Sequence, residues 1–188
     1  DALAQASPPH LTALQTEGAY TLRATSVMPC ITLPCHMSMF HSVPPGRHGV
    51  TTNDWSPMAR PLPGLADQAR AAGLRPAFFY NWEPLRNLSR PGSLSFAFFQ
   101  EHNGVDPHGD TAIADAAIAY LAHHRPDLSF VYFGVLDNVG HTYGWMSDPY
   151  LAYLAQVDQL VGALRAALPP DYTLLVGSDH GGHDRSHG

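Results

Sequence analysis

The chain has 188 residues, with ten basic and 16 acidic side chains, for a formal net charge of −6 when histidine is neutral. That length fits one globular domain, a charged fraction of only 14% excludes a disordered chain, and no apolar run reaches the roughly 18 residues of a membrane span. The acidic balance argues against holding a nucleic-acid duplex by bulk electrostatics, and because all ten basic residues are arginine, Schiff-base lysine chemistry and a P-loop lysine are excluded.

Taken in order, Pro8-Pro9 opens a helical segment over 10–17, with Leu11 and Leu14 at helical spacing, and Gly18 stops it. Residues 20–27 alternate well enough for a strand. Residues 28–34 form a turn with two prolines, and 35–41 read as a short helix broken by Pro44-Pro45-Gly46. Cys30 and Cys35 flank that turn. They read as small packing residues, a disulfide being open only to an oxidising compartment. A helix over 65–72 closes at Gly73, and 76–80 is a short apolar strand. Between 81 and 108, strand and loop features mix. Residues 110–123 form a helix capped by Asp110, with Ile113, Ala117, Tyr120 and Leu121 as its apolar stripe. A buried strand over 128–133, a helix over 148–168 and a second buried strand over 172–176 complete the pattern. Helix and apolar strand in alternation predict an α/β fold with a mostly parallel central sheet flanked by helices, the two last strands being parallel neighbours.

Twelve histidines outnumber the arginines, so metal or acid–base chemistry is the first class to consider. Both buried strands run into an Asp and a His: Asp137-Asn-Val-Gly140-His141 after the first, Ser178-Asp179-His180-Gly181-Gly182 after the second. His187 follows seven residues after His180. In a parallel sheet the carboxyl ends of the strands are where ligands bind. Carboxylate with imidazole is a ligand set for Zn²⁺ or Mn²⁺. The third element is Pro29-Cys30-Ile31-Thr32-Leu33-Pro34, ahead of the short helix. Thr32 there is either a helix cap or a hydroxyl that a metal or base activates. His183 reads as a solvated loop residue, and His36 and His41 as packing or surface residues. Tyr80, Asn81 and Trp82 read as core at a strand end, or as an aromatic wall for a substrate.

Thr32-Leu-Pro, His48-Gly49-Val50, Asn53, the Asp137–His141 motif, the Ser178–Gly182 motif and His187-Gly188 together resemble the alkaline phosphatase superfamily, and within it the type I phosphodiesterase/nucleotide pyrophosphatase family. The resemblance implies an alkaline phosphatase-like fold over 1–188 as one partial catalytic domain, with a variable substrate-side segment at about 55–108. It assigns one divalent metal to Asp137, His141 and His187, and a second to Asp179, His180 and the Thr32 oxygen, Zn²⁺ ahead of Mn²⁺. Asn53 would hold a phosphoryl oxygen. Thr32 would attack phosphorus in a phosphodiester or nucleotide pyrophosphate, forming a phosphothreonine. The family's Asp-Gly metal motif is expected ahead of Asp1 and further sheet material after Gly188, so the fold is expected to be truncated at both ends.

Other members of the superfamily are alternatives: a metal-dependent phosphomutase, a phosphomonoesterase, or a non-catalytic metal- or ligand-binding module. A sulfatase is disfavoured, since Thr32-Leu-Pro-Cys-His lacks the Cys/Ser-x-Pro-x-Arg context. The implied partner is a small-molecule phosphoester. No targeting segment is visible, which tips the compartment slightly toward the cytoplasm, although the chain starts at Asp1 rather than Met.

Overall fold

The computed structural model describes residues 1–58 and 60–187. Its elements in chain order are α1 (Ala2–Ala6), α2 (Pro9–Glu17), α3 (Thr32–His41), α4 (Pro45–His48), α5 (Leu65–Ala71), β1 (Pro76–Tyr80), a 3-10 turn (Glu83–Leu88) and β2 (Phe96–Phe99). There follow α6 (His108–His124), β3 (Leu128–Val131), α7 (Val135–Tyr143), α8 (Asp148–Ala167) and a small hairpin of β4 (Gly182–His183) and β5 (Ser186–His187).

β1 lies between β2 and β3, parallel to both, with Phe78 opposite Ala97 on one side and Phe130 on the other. All five β1 residues are buried, as expected of a central parallel strand covered on both faces. Its side chains alternate between two cores. Phe78 and Tyr80 pack with Leu33 and Met37 of α3, whereas Ala77 and Phe79 pack with Ile113, Ala117 and Leu121 of α6 and Leu164 of α8. Helices thus cover both faces of a parallel sheet. The α3 face carries Thr32, and the α6–α8 side carries α7.

Three expected elements differ. Residues 172–176 form no strand among the described residues, so they are not a parallel neighbour of β3, whose sheet partner is β1. Leu175 is 93% exposed: the run is apolar enough for a buried strand but has no ladder partner here. Residues 20–27 are also irregular, with Tyr20 and Leu22 exposed, because alternation makes a strand only where a neighbour accepts its hydrogen bonds. Asp110 is no cap. It is the third residue of α6, and Asp106 instead accepts the His108 amide at 3.1 Å. The helix α7 was hidden in sequence by Gly134 and Gly140. At the start of α8 the Ser147 hydroxyl accepts the Tyr150 amide, a true N-cap.

Candidate metal and phosphoryl site

Thr32 is the first residue of α3 and is buried. It does not cap the helix. Ile31 occupies that place without a side-chain bond, and Asn53 supplies the cap by accepting the Leu33 amide at 2.9 Å. The Thr32 hydroxyl therefore has no structural bond to a helix amide, and its Oγ1 stands 3.2 Å from His180 Nε2. Cys30 and Cys35 are both free, with Cys35 buried. Ser26 sits between this turn and the second motif, its hydroxyl 3.0 Å from Cys35 Sγ and donating to the Asp179 carbonyl at 2.6 Å.

Asp137 and His141 lie four residues apart on α7, so one helix face presents both, with Asp137 Oδ2 3.5 Å from His141 Nε2. The hairpin brings His187 to the same point. Its Nε2 is 3.5 Å from Asp137 Oδ1 and 2.9 Å from His141 Nε2. His180 Nε2 is 3.4 Å from Asp179 Oδ2 and 3.8 Å from Asp137 Oδ1. The seven residues 32, 53, 137, 141, 179, 180 and 187 thus come from four separate stretches of chain to one end of the sheet. Gly188 lies outside the described residues.

The tautomers follow from the outer contacts. His141 Nδ1 is 2.9 Å from the Arg185 carbonyl and His180 Nδ1 is 3.0 Å from the Gly181 carbonyl. A carbonyl only accepts, so each Nδ1 carries the proton and each Nε2 lone pair points inward. Asp137 Oδ1 and Asp179 Oδ2 are buried without a hydrogen-bond partner. Those two carboxylate oxygens, next to inward-facing imidazole nitrogens, are donors suited to a cation. Tetrahedral Zn²⁺ with bonds of about 2.0–2.1 Å places its donor atoms about 3.3 Å apart. With one donor atom from each, Asp137, His141 and His187 lie within 4.8 Å of one another, a looser group than that ideal, while His180 Nε2 stands 3.2 Å from Thr32 Oγ1 and 3.4 Å from Asp179 Oδ2. Asp137, His141 and His187 therefore form a group of the right chemistry for a divalent ion, and Asp179, His180 and Thr32 bring further oxygen and nitrogen donors beside it. Burial, and then the His180 ring beside it, hold the His187 pKa below its ordinary value, which keeps this imidazole in the neutral form a metal requires. Burial, followed by Asp179 and Asp137, pushes the Tyr132 phenol well above its usual range, so it stays neutral beside the site.

A polar cleft of about 230 Å³ opens at this point, with Thr32, Asn53, Asp137, Asn138, His141 and His187 on its metal-ligand side. Asn81, Trp82, His102, Asn103, Tyr132 and Gly134 also line it. Residues 1–187 match the family model described as Type I phosphodiesterase / nucleotide pyrophosphatase. The chain belongs to that family. Among curated members of the group, human ectonucleotide pyrophosphatase/phosphodiesterase family member 7 is 27% identical over 200 residues, covering 92% of this chain and 43% of the relative. A phosphopentomutase from Methylobacterium is 33% identical over 138 residues, 70% of this chain and 31% of that protein. The fold is shared with an inactive Thr-to-Ala variant of murine ectonucleotide pyrophosphatase/phosphodiesterase 5 in complex with AMP, at a TM-score of 0.72 and 17% identity over 89% of this chain and 48% of the murine one. The chain therefore spans about half, or less, of the relatives it matches.

Two residues beside this site are not legible in its motifs. His36, read as packing or surface, is buried on α3, with Nδ1 2.9 Å from the Thr32 carbonyl and 3.4 Å from Asp179 Oδ2. Its position four residues after Thr32, one helical turn on, was the available clue. Trp145 is the other. Its indole lies against Gly140 of α7 and Gly182 of β4, at a distance no Cβ tolerates, with its edge to the His141 ring and its amide donating to the Asp184 carbonyl at 2.8 Å. It clamps the His187 hairpin to the helix that carries Asp137. His41 is buried against the Met37 carbonyl, away from these ligands, and His183 is exposed beside Asp184. Tyr80 belongs to the core, whereas Asn81 and Trp82 reach the cleft.

Proposed function

We propose that this chain carries the catalytic centre of a two-metal phosphoester hydrolase that acts on phosphodiesters or nucleotide pyrophosphates through a phosphothreonine. The observation that carries the reading is the convergence of Thr32 Oγ1 with five carboxylate and imidazole side chains of metal-ligand type. Asp137, His141 and His187 would hold one ion and Asp179, His180 and Thr32 the other. Bound there, two divalent ions supply Lewis-acid stabilisation of the charge that develops on attacking and leaving oxygens.

The chain's own groups account for the rest. Thr32 Oγ1 attacks phosphorus, the bond to the leaving alcohol or phosphate breaks, and water then cleaves the phosphothreonine to release a phosphomonoester and restore the hydroxyl. Asn53 spends its oxygen on Leu33 and so turns its NH₂ toward a phosphoryl oxygen. Cleft-wall residues Asn81, Trp82, His102 and Asn103 all come from the segment 55–108, which we assign as the substrate side of a single partial catalytic domain. Among the described residues lining the cleft there is no arginine, which favours a diester with neutral polar substituents over a dianionic monoester.

The test is turnover of bis(p-nitrophenyl) phosphate by the complete gene product with Zn²⁺. Thr32→Ala should lose about 10³-fold or more in rate, while the fold and most metal content stay, and Thr32→Ser should keep part of the activity. Near wild-type turnover in Thr32→Ala would rule out the covalent step. The similarity to a phosphopentomutase supports a second reading, phosphoryl transfer within a sugar phosphate. Interconversion of pentose phosphates without release of phosphate would favour it, and a metal-binding protein that turns over neither substrate is a non-catalytic module.

A further inference from the structure

Asp110 is fully buried, yet it is a carboxylate and takes no part in the ligand set. Burying a charge is costly unless hydrogen bonds replace its hydration. Here its Oδ1 accepts from Asn81 Nδ2 at 2.7 Å and from the Val135 amide at 3.3 Å, while Oδ2 accepts from the Tyr153 hydroxyl at 3.0 Å. Asn81 is itself fully buried, and its Oδ1 accepts the Gly134 amide at 3.1 Å. Gly134 and Val135 open α7, so their amides are among the donors that a helix start leaves without partners. The approach is close: a Cβ at Gly134 would stand 2.8 Å from Asn81 Oδ1. One network therefore ties the end of β1, α6 and α8 to the first turn of α7. Asp137 follows Val135 by two residues, and His141 stands one turn further on.

We infer that Asp110 is a positioning residue: with Asn81 and Tyr153 it fixes the start of α7 and thereby sets where Asp137 and His141 meet His187. The metal arm of this inference rests on the function proposed above, whereas the anchoring of α7 stands on the fold alone. The molecule contains a matched control. Asp158 on α8 is also fully buried and also accepts two helix-start amides, from His10 at 3.1 Å and Leu11 at 2.7 Å, at the start of α2 and away from the ligands. If buried carboxylates served only stability, the two would behave alike.

The experiment compares Asp110→Ala, Asp110→Asn, Tyr153→Phe and Asp158→Ala in the complete gene product. Amide hydrogen exchange is read without metal, and Zn²⁺ affinity by competition with a chelating dye. Asp110→Ala should accelerate exchange across residues 135–143 more than elsewhere and weaken Zn²⁺ binding about 10–100-fold, the usual cost of losing an outer partner of a metal site. Asp110→Asn should stay within about threefold, because its Oδ1 still accepts from Asn81 and Val135 while its NH₂ donates to Tyr153. Asp158→Ala should accelerate exchange in α2 and leave Zn²⁺ affinity unchanged. If Asp110→Ala does not fold, Tyr153→Phe carries the test, with the same selective exchange at reduced size. The anchor is overturned if exchange in α7 rises no more than in the rest of the molecule, or if Asp158→Ala weakens Zn²⁺ as strongly. A wild-type protein that binds no Zn²⁺ overturns the metal arm and the proposed function, and the exchange comparison still decides the anchor.

Discussion

At Asn53 one carboxamide has two faces: Oδ1 accepts the Leu33 amide, and in the proposed function Nδ2 would donate to a phosphoryl oxygen. The two duties separate by substitution. Asn53→Asp keeps the acceptor, so its folding stability should stay within about 0.5 kcal/mol of wild type, as for an interchange of good capping residues. It replaces the donor by a negative charge facing the phosphoryl group, so turnover should fall about 10²–10³-fold, the usual cost of losing one oxyanion donor. Asn53→Ala should lose the same rate and also about 0.5–2 kcal/mol of stability. Chemical denaturation alongside the diesterase assay reads both quantities. If Asn53→Asp keeps full turnover, the side chain is a cap and nothing more. Thr32 shows the converse division, since its helix start is capped by another residue and its hydroxyl, 3.2 Å from His180 Nε2, is left for the role proposed above.

Among elements, α3 and the turn that follows it show what burial does to imidazoles. His41 and His48 are both buried, and burial holds both below their ordinary pKa, His48 further through the neighbouring His41. His48 accepts the Val50 amide on Nδ1 at 3.1 Å, so its Nε2 proton faces the Ser38 hydroxyl at 3.0 Å. A second proton would break the first of these bonds. The unfolded chain, with histidines near pH 6.5, binds that proton more readily, so acidification favours unfolding. Stability is therefore fully present above about pH 6.5 and should fall as the pH drops below it through the folded-state values. Urea midpoints of metal-free protein between pH 8 and pH 5 test this. His48→Asn, which keeps an acceptor for Val50 but has nothing to titrate, should give a shallower fall, and an unchanged slope would remove His48 from the account. The same elements mark what the sequence discloses. β1 was legible to the residue because five apolar positions between breakers have one reading, and α2, α5 and α8 because their periodicity and stops agree. The motif residues 32, 137, 141, 179, 180 and 187 could be singled out in the sequence by residue type and spacing, and the structure brings them together. Their convergence was expected, but the elements that carry it were not: Asp137 and His141 sit on α7, whose two glycines argue locally for a loop, and His187 on a hairpin held by Trp145 from another part of the chain. Asp110 misled for a related reason: an Asp at a helix start is usually a cap, and only the tertiary approach of Asn81, Val135 and Tyr153 makes it an anchor.

For the molecule as a whole, the proposed metal site would make folding and metal binding share one free energy. Two buried carboxylate oxygens without hydrogen-bond partners are unfavourable in the metal-free fold and would become favourable once a cation sat beside them. The unfolded chain scatters these ligands from position 32 to position 187, so it cannot offer the same site. Metal should therefore raise the unfolding temperature. At free Zn²⁺ of about 100 times the dissociation constant, one site adds about 2.7 kcal/mol, which for a domain of this size is roughly 5–10 °C. Excess EDTA should reverse the gain. His141→Ala should remove the part that belongs to Asp137, His141 and His187 and leave the part that belongs to Asp179, His180 and Thr32. The gain should vanish below about pH 5.5, where protons compete for the histidine ligands. Differential scanning calorimetry of the complete gene product with and without Zn²⁺, at pH 7.5 and pH 5, measures each of these shifts. An unfolding temperature that does not respond to Zn²⁺ or to EDTA at pH 7.5 would mean that the converging donors hold no divalent ion, and the two-metal chemistry would fall with it.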